Sequence, residues 1–439
     1  MALERRGVAD LREFQDTVNE ILKRADIPKL HLEARERHIG QRQVSWSPDQ
    51  LVDVTGAHRF IPPTKDQTRG PCPGLNVLAN HGYFDRSGVT NLQESITALT
   101  EVFNMGLDTA TALVAYSIAI IGDPVALTWS IGRGLDKSTL LPGLLSPPGG
   151  ISQSHNNYES DASIGRGDAF LTNGNVWDLQ LDRFKHYYSL QPNSTTANYD
   201  FDVTVEQRRF TINESINKNP NFFFSPFPGL VVSTAAHNFV PFFFSNHSAE
   251  RPEGYLDQAT LKSFFSVSGD SLDTLKYTPG HERIPDNWYK PGVPYTLVDV
   301  VTNVLKASDS ASLDYELSIG ESSTHCSISA SRHVIEKVPE AGKVGGNTGK
   351  VNSFVGVDVA DLTGGVLNAQ SLLEGNNLIC FGLAAARLGL PSVLGGATGL
   401  LGNALNFLDS KFGTLLPGLT CPRIDKWNLS VFSQFPGSG

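Results

Sequence analysis

No stretch of this sequence is apolar for long enough to cross a bilayer. The longest such run, Ala110 to Ile121, falls well short of the ~20 residues a spanning helix needs, so it reads as a buried core helix and no membrane span is expected. Basic clusters are missing as well. The formal net charge is −10, and no stripe of Lys and Arg offers the contacts that hold a phosphate backbone, which argues against nucleic acid as a partner. Cysteine is scarce: Cys72, Cys326, Cys380 and Cys421 are too few and too scattered for a disulfide framework, and none forms the Cys-x-x-Cys spacing of a zinc site. Between Met1 and Arg37 there is also no apolar core of the kind that marks an export signal.

What is present is enough for a sizeable core. Hydrophobic residues make up 40% and charged residues 18% of 439, which excludes wholesale disorder and fits one large domain or two modest ones. Val8, Leu11, Phe14, Val18, Ile21 and Leu22 recur at three- and four-residue spacing and predict an amphipathic helix in the charged amino-terminal region. Asn91 to Trp129 predicts two packed helices. A Pro/Gly/Ser-rich loop, Pro142 to Ser154, then leads into the polar cluster His155 to Ser163, where Asp161 and Ser163 are candidate caps for a helix continuing through Asp168 to Leu181. Further helices are expected at Val203 to Asn217 and Asp257 to Ser266, and in Ala384 to Leu416, where small residues allow close packing. The Ser-, Lys-, Glu- and Gly-rich stretch Ser308 to Lys350 reads as a surface insertion. At its end, Gly345 to Lys350 resembles a phosphate loop only superficially, because Val344 and Val351 stand where Gly and Ser or Thr are required, and it is expected to be a flexible loop. The fold class is mainly α.

Two segments carry unusual chemistry. Asn219 to Ser245 surrounds His237 with Phe222, Phe223, Phe224, Phe227, Phe239, Phe242, Phe243 and Phe244, too aromatic a set to face water; it forms either a core wall or the roof of an apolar cavity. Earlier, Pro71-Cys72-Pro73-Gly74-Leu75 places a cysteine at a predicted helix start. There the unpaired N–H groups of Gly74 and Leu75 and the positive end of the helix dipole would turn toward sulfur and favour a thiolate. A buried structural thiol is the alternative reading.

The residues around that cysteine narrow the choice. Arg69-Gly-Pro-Cys-Pro-Gly-Leu-Asn-Val-Leu-Ala-Asn-His-Gly-Tyr83 resembles the signature of the fungal haem-thiolate peroxidases, the family of chloroperoxidase and unspecific aromatic peroxygenase. By this resemblance Cys72 is the axial ligand of a haem b iron, and Gly74, Leu75, Phe103 and Tyr158 are expected around the cofactor. Asn156-Asn-Tyr-Glu-Ser-Asp-Ala-Ser163 is similar to the family's Glu-Gly-Asp or Glu-His-Asp motif. That motif implies Mg2+ beside a haem propionate, held by the Glu159 carboxylate, the Ser160 carbonyl and the Ser163 hydroxyl, all hard oxygen donors. Phe103 to Gly106, Asn213 to Ile216, Asn219 to Phe222 and Leu416 to Cys421 extend the likeness, so that it spans about Ala57 to Pro422. It also implies a disulfide between Cys380 and Cys421.

The distal side departs from the family pattern. Relatives carry a Glu that moves a proton between the oxygens of bound peroxide, often with an upstream Arg; here His237 aligns with the Glu and Phe227 follows Ser225-Pro226 where an Arg is looked for. Histidine, with an unperturbed pKa of about 6.5, can do the same work. The resemblance therefore implies a chloroperoxidase-like helical fold over 57–422, preceded by a charged helix and lead-in over 1–56, carrying the 308–350 insertion, and followed by a tail over 423–439. It implies a peroxidase or peroxygenase whose partners are hydrogen peroxide and a small apolar organic substrate. Two other readings stay open, a haem-binding biosynthetic dehydratase or isomerase and an inactive binder. Having Met105 as the only internal methionine suits a protein that works beside an oxidant. Sequons at Asn193, Asn213, Asn246 and Asn428 would suit a secreted glycoprotein, which requires an amino terminus longer than this one; otherwise the chain is expected inside the cell. Oligomeric state has no sequence signal.

Overall fold

The computed structural model describes residues 46–123, 126–134, 149–313, 344–368, 371, 377–388, 421–424 and 426–438. The amino-terminal helix, Cys326, residues 314–343 of the 308–350 insertion and most of Ala384 to Leu416 lie outside them. The fold is mainly α. Helix α1 (Pro73–Asn80) is buried along its whole length. Strand β1 (Val89–Asn91) pairs antiparallel with β2 (Thr128–Ser130), and between them run α2 (Leu92–Phe103) and α3 (Leu107–Ile121). Asn91 caps α2 by accepting the Glu94 N–H, and Asn104, in the left-handed region at φ 49°, ends it. α3 holds the long apolar run and is covered on nearly every side, as a helix without a polar face must be.

From Asp168 to Gln180 the chain forms turns rather than the expected helix, which begins only with α4 (Leu181–Ser189). The cause is local competition for hydrogen bonds. Asp161 accepts from the Ala169 N–H, Asp168 accepts from the Leu171 N–H, and both carboxylates also hold the Asn219 side chain. Asp161 is thus a bracket between loops, not a helix cap. Helix α5 (Phe201–Lys218), capped by Asp200, leads to the short strand β3 (Phe223–Phe224), a wide π turn (Pro228–Ser233), and α6 (Thr234–Phe244). α7 (Gln258–Phe264), capped by Asp257, precedes a small hairpin of β4 (Val267–Ser268) and β5 (Lys276–Tyr277), and then comes α8 (Leu297–Leu313).

Gly345 to Lys350 is not a flexible loop. Strand β6 (Gly345–Asn347) lies between β3 and β7 (Phe354–Gly356) in a three-stranded antiparallel sheet. Asn347 is fully buried and donates to the carbonyls of Ile216 and Asn219, and a Cβ on Gly345 would lie 2.2 Å from the Val355 carbonyl oxygen. Glycine here serves close backbone approach. Helices α9 (Val359–Leu362) and α10 (Asn377–Leu388) follow, and a disulfide joins Cys380 to Cys421. Both described ends are tied to the body: Val52 donates its N–H to the Trp288 carbonyl, while Phe432 and Phe435 pack on Phe223.

Candidate active site

Cys72 is the residue at which extended chain turns into α1. Its backbone is extended (φ −86°, ψ 111°), and Pro73, which needs no hydrogen-bond acceptor for a missing N–H, takes the first helical position. The backbone N–H groups of Leu75 and Gly74 and the charge of Arg166 lie near enough to favour the thiolate, although no N–H closes a cap hydrogen bond to the side chain. Burial nevertheless outweighs these contributions and pushes the thiol pKa up. The helix start alone therefore leaves a neutral thiol, and a cation in front of the sulfur is what would tip it to thiolate. The approach is rigid. Asn76 Nδ2 donates to the Gly70 carbonyl and Asn76 Oδ1 accepts the Gly70 N–H, each at 2.9 Å, and a Cβ on Gly70 would fall 1.7 Å from the Ile131 carbonyl oxygen.

Cys72 opens on a cavity of about 190 Å3. The same wall contains Gly74, Leu75, Phe103, Tyr158, Glu159, Ser160, Ser163 and His237, so the residues singled out from separate sequence segments converge on one space. Tyr158 accepts from the Ser117 hydroxyl and stacks on Tyr116. The aromatic segment turns out to do both things that were open. Phe222 and Phe224 form a small core cluster with Ile212 and Ile216, whereas Phe239, Phe243 and Phe244 line the cavity. Phe103 meets Phe243 at 5.8 Å and Phe244 at 6.4 Å between ring centroids, joining the Cys72 side to the His237 side.

On one rim, the Glu159 backbone N–H donates to the Ser154 hydroxyl oxygen at 3.0 Å, and its carboxylate Oε2 meets His155 Nδ1 at 3.0 Å. Burial raises the Glu159 pKa and His155 opposes that rise. Burial likewise disfavours a charged His155, but the hydrogen bond to Glu159 and the charges of Asp161, Glu159 and Asp168 overcome it and lift the imidazole to about 9. Glu159 Oε1 and the Ser160 hydroxyl are buried without a partner.

His237 sits one turn into α6, directly after the π turn. Its Nδ1 lies 2.8 Å from the Ser233 carbonyl oxygen. A carbonyl can only accept, so Nδ1 carries the proton and Nε2 keeps its lone pair. Among the described residues, Nε2 is buried and without a partner. Burial, then the positive charge of Arg208, then that of Arg183 pull the pKa down to about 3 against the Ser233 bond, so the ring is neutral. Arg208 itself is fully buried, with no acceptor among the described residues for any of its three guanidinium nitrogens and its Cζ 5.3 Å from the centroid of the Phe224 ring. His155, Arg166, Arg208 and Glu282 were not singled out in the sequence. His155 adjoins the Glu159 motif and Arg166 stands between two glycines, but Arg208 and Glu282 have no local mark.

These residues fit a haem: a sulfur donor, apolar and aromatic walls, and unpartnered polar atoms at the rim where carboxylates would lie. The comparisons agree. Residues 58–293 match the family described as Peroxidase, family 2. The aromatic peroxidase fscJ of Fusarium equiseti is 39% identical over 405 residues, covering 89% of this chain and 86% of that protein. The dothistromin biosynthesis peroxidase dotB of Dothistroma septosporum is 38% identical over 391 residues, covering 88% and 86%. An aromatic peroxygenase of Cyclocybe aegerita is 32% identical over 271 residues, covering 60% and 65%. The chain belongs to peroxidase family 2, the fungal haem-thiolate peroxidases, and is an oxidoreductase that acts on peroxide.

Proposed function

We propose that Cys72 is the iron ligand of a haem b in this cavity, that His237 is the distal acid–base, and that the substrate is an apolar, aromatic organic molecule. The observation that carries this reading is that Cys72 and His237, whose Nε2 has no partner among the described residues, line one aromatic-walled space. A thiolate-ligated haem, when bound, supplies the iron that accepts peroxide and the electron donation that favours O–O cleavage. The N–H groups of Gly74 and Leu75 favour the sulfur as thiolate, and Phe103 and Tyr158 line the same space.

His237 has the required tautomer in advance. With Nδ1–H committed to Ser233, Nε2 accepts a proton from peroxide at its inner oxygen and returns it to the outer one, which leaves as water. A depressed pKa makes the first transfer harder and the second easier. The charged product of the first step is short-lived because Arg208 disfavours it. Phe239, Phe243 and Phe244 exclude water and offer ring faces to an apolar substrate.

Glu159, Ser160 and Ser163 are the residues that would hold Mg2+ against a haem carboxylate. One carboxylate and two neutral oxygens are hard donors of the kind that Mg2+ takes. The deciding experiment is the carbon monoxide difference spectrum of the reduced holoprotein, compared with Cys72→Ser. A thiolate-type Soret band that the substitution abolishes supports the assignment; a histidine-type band in the unsubstituted protein rejects it. Stopped-flow mixing with peroxide then separates a peroxidase from a haem binder.

A further inference from the structure

Near Cys72, outside the lining of the cavity, lies a buried ion pair. Arg166 is 2% exposed and Glu282 0%, and Arg166 Nη2 lies 2.9 Å from Glu282 Oε1. Such a pair is weak as a stabilising device, because the cost of taking both charges out of water roughly cancels their attraction. Its neighbours suggest another use. Arg166 Nε donates to the Pro71 carbonyl at 2.8 Å, immediately before the cysteine. Asn76 Nδ2 donates to the same Glu282 oxygen at 2.9 Å while its amide clamps Gly70 in both directions. The three side chains close a polar circuit around Gly70, Pro71 and Cys72. Both charges are thereby held against the segment that carries the sulfur.

We propose that the Arg166–Glu282 pair is a positioning device for Cys72, fixing the carbonyl before it and, through its charge balance, setting how strongly the sulfur donates to bound iron. The proposal rests on Cys72 being the iron ligand. It predicts effects with a sign. Replacing Glu282 by Gln keeps the hydrogen bond from Asn76 but leaves the guanidinium unbalanced beside the sulfur, so the thiolate donates less. Replacing Arg166 by Met as well removes the remaining charge and restores neutrality, although Pro71 loses its anchor. Arg166 Nη1 also donates to the Tyr277 hydroxyl at 3.2 Å, and deleting that oxygen unscreens the guanidinium slightly.

The test is a spectroelectrochemical titration of the haem in the holoprotein, with the carbon monoxide Soret band and thermal unfolding recorded on the same samples. Glu282→Gln should raise the midpoint potential, and Glu282→Gln with Arg166→Met should bring it back toward the unsubstituted value. A residue that merely held the fold would make the double variant at least as perturbed as the single one. That result, or an unchanged potential in Glu282→Gln, overturns the proposal. If Glu282→Gln takes up no haem, Tyr277→Phe carries the test, with a smaller rise of the same sign expected and no rise refuting it. Failure of the underlying assignment is seen separately, as a missing thiolate band in the unsubstituted protein.

Discussion

Replacing His237 by Ala tests the distal chemistry most directly. A positioned acid–base contributes about 10²- to 10⁴-fold to a proton-transfer step, or ~2.7 to 5.4 kcal/mol at about 1.36 kcal/mol per factor of ten. The structure adds a pH dependence. An imidazole with its ordinary pKa near 6.5 would be only about 3% neutral at pH 5, whereas one held at about 3 is about 99% neutral there. Catalysis needs the neutral form first, so peroxide cleavage should hold its rate from pH 7 down to about pH 4, with no limb near 6.5. Stability runs the other way in the same range. Because the folded pKa lies below that of the unfolded chain, the stability contributed by neutral His237 is complete above about pH 6.5 and drains away as pH falls toward 3. The assay is single-turnover stopped flow, following the Soret change after mixing holoprotein with peroxide at each pH. Thermal unfolding at the same pH separates inactivation from unfolding. An unchanged rate in His237→Ala would refute the acid–base role. A limb near pH 6.5 that vanishes in His237→Ala would refute the tautomer and burial argument instead.

Arg208→Met removes an unpaired buried charge; it should lift the His237 pKa and move the acid limb of the peroxide step upward, seen in the same pH series, with folding stability kept or improved. Gly70→Ala should cost at least about 1–3 kcal/mol by urea unfolding and weaken haem retention, because its Cβ cannot coexist with the Ile131 carbonyl 1.7 Å away. Cys380→Ser with Cys421→Ser opens a link across 41 residues; on the chain-entropy account this costs about 4 kcal/mol, read as a lower urea midpoint. A midpoint equal to that of the unsubstituted protein would show that the bridge does not form.

How far the site could be read in advance depended on whether its parts are local. The Pro-Cys-Pro turn sits in a short segment whose own residues fix the backbone, whereas the Glu159 motif and His237 stood out only by resemblance to the family. A helix with strong period and a cap, such as α2, is visible in the same way as that turn. The stretch from Asp168 to Gln180 was not, because its apolar spacing is helical while its carboxylates are committed to Ala169, Leu171 and Asn219. Strand β6 escaped too. Gly345 and Gly346 have the composition of a loop, and only the approach of Phe223 and Val355 on either side makes them a strand. Glu282 reads as one more surface acid beside His281 and Arg283 until Arg166, 116 residues away, is folded against it.

The balance at Cys72 has a consequence for how the holoprotein assembles. Two N–H groups and a guanidinium favour the thiolate, but burial prevails, so the thiol is protonated at neutral pH in the protein alone. With Cys72 as the proposed ligand, iron takes the sulfur as thiolate, and haem uptake would expel that proton. Release of about one proton per haem from this residue is expected at pH 7, measured by calorimetric titration of haem into the apoprotein in two buffers of different ionisation enthalpy. Cys72→Ser should abolish the buffer dependence. The same logic makes haem affinity rise with pH as long as the free thiol remains protonated. An affinity independent of pH, with heats equal in both buffers, would mean that the sulfur is already a thiolate before iron arrives, and that the helix start and Arg166 together overcome burial after all.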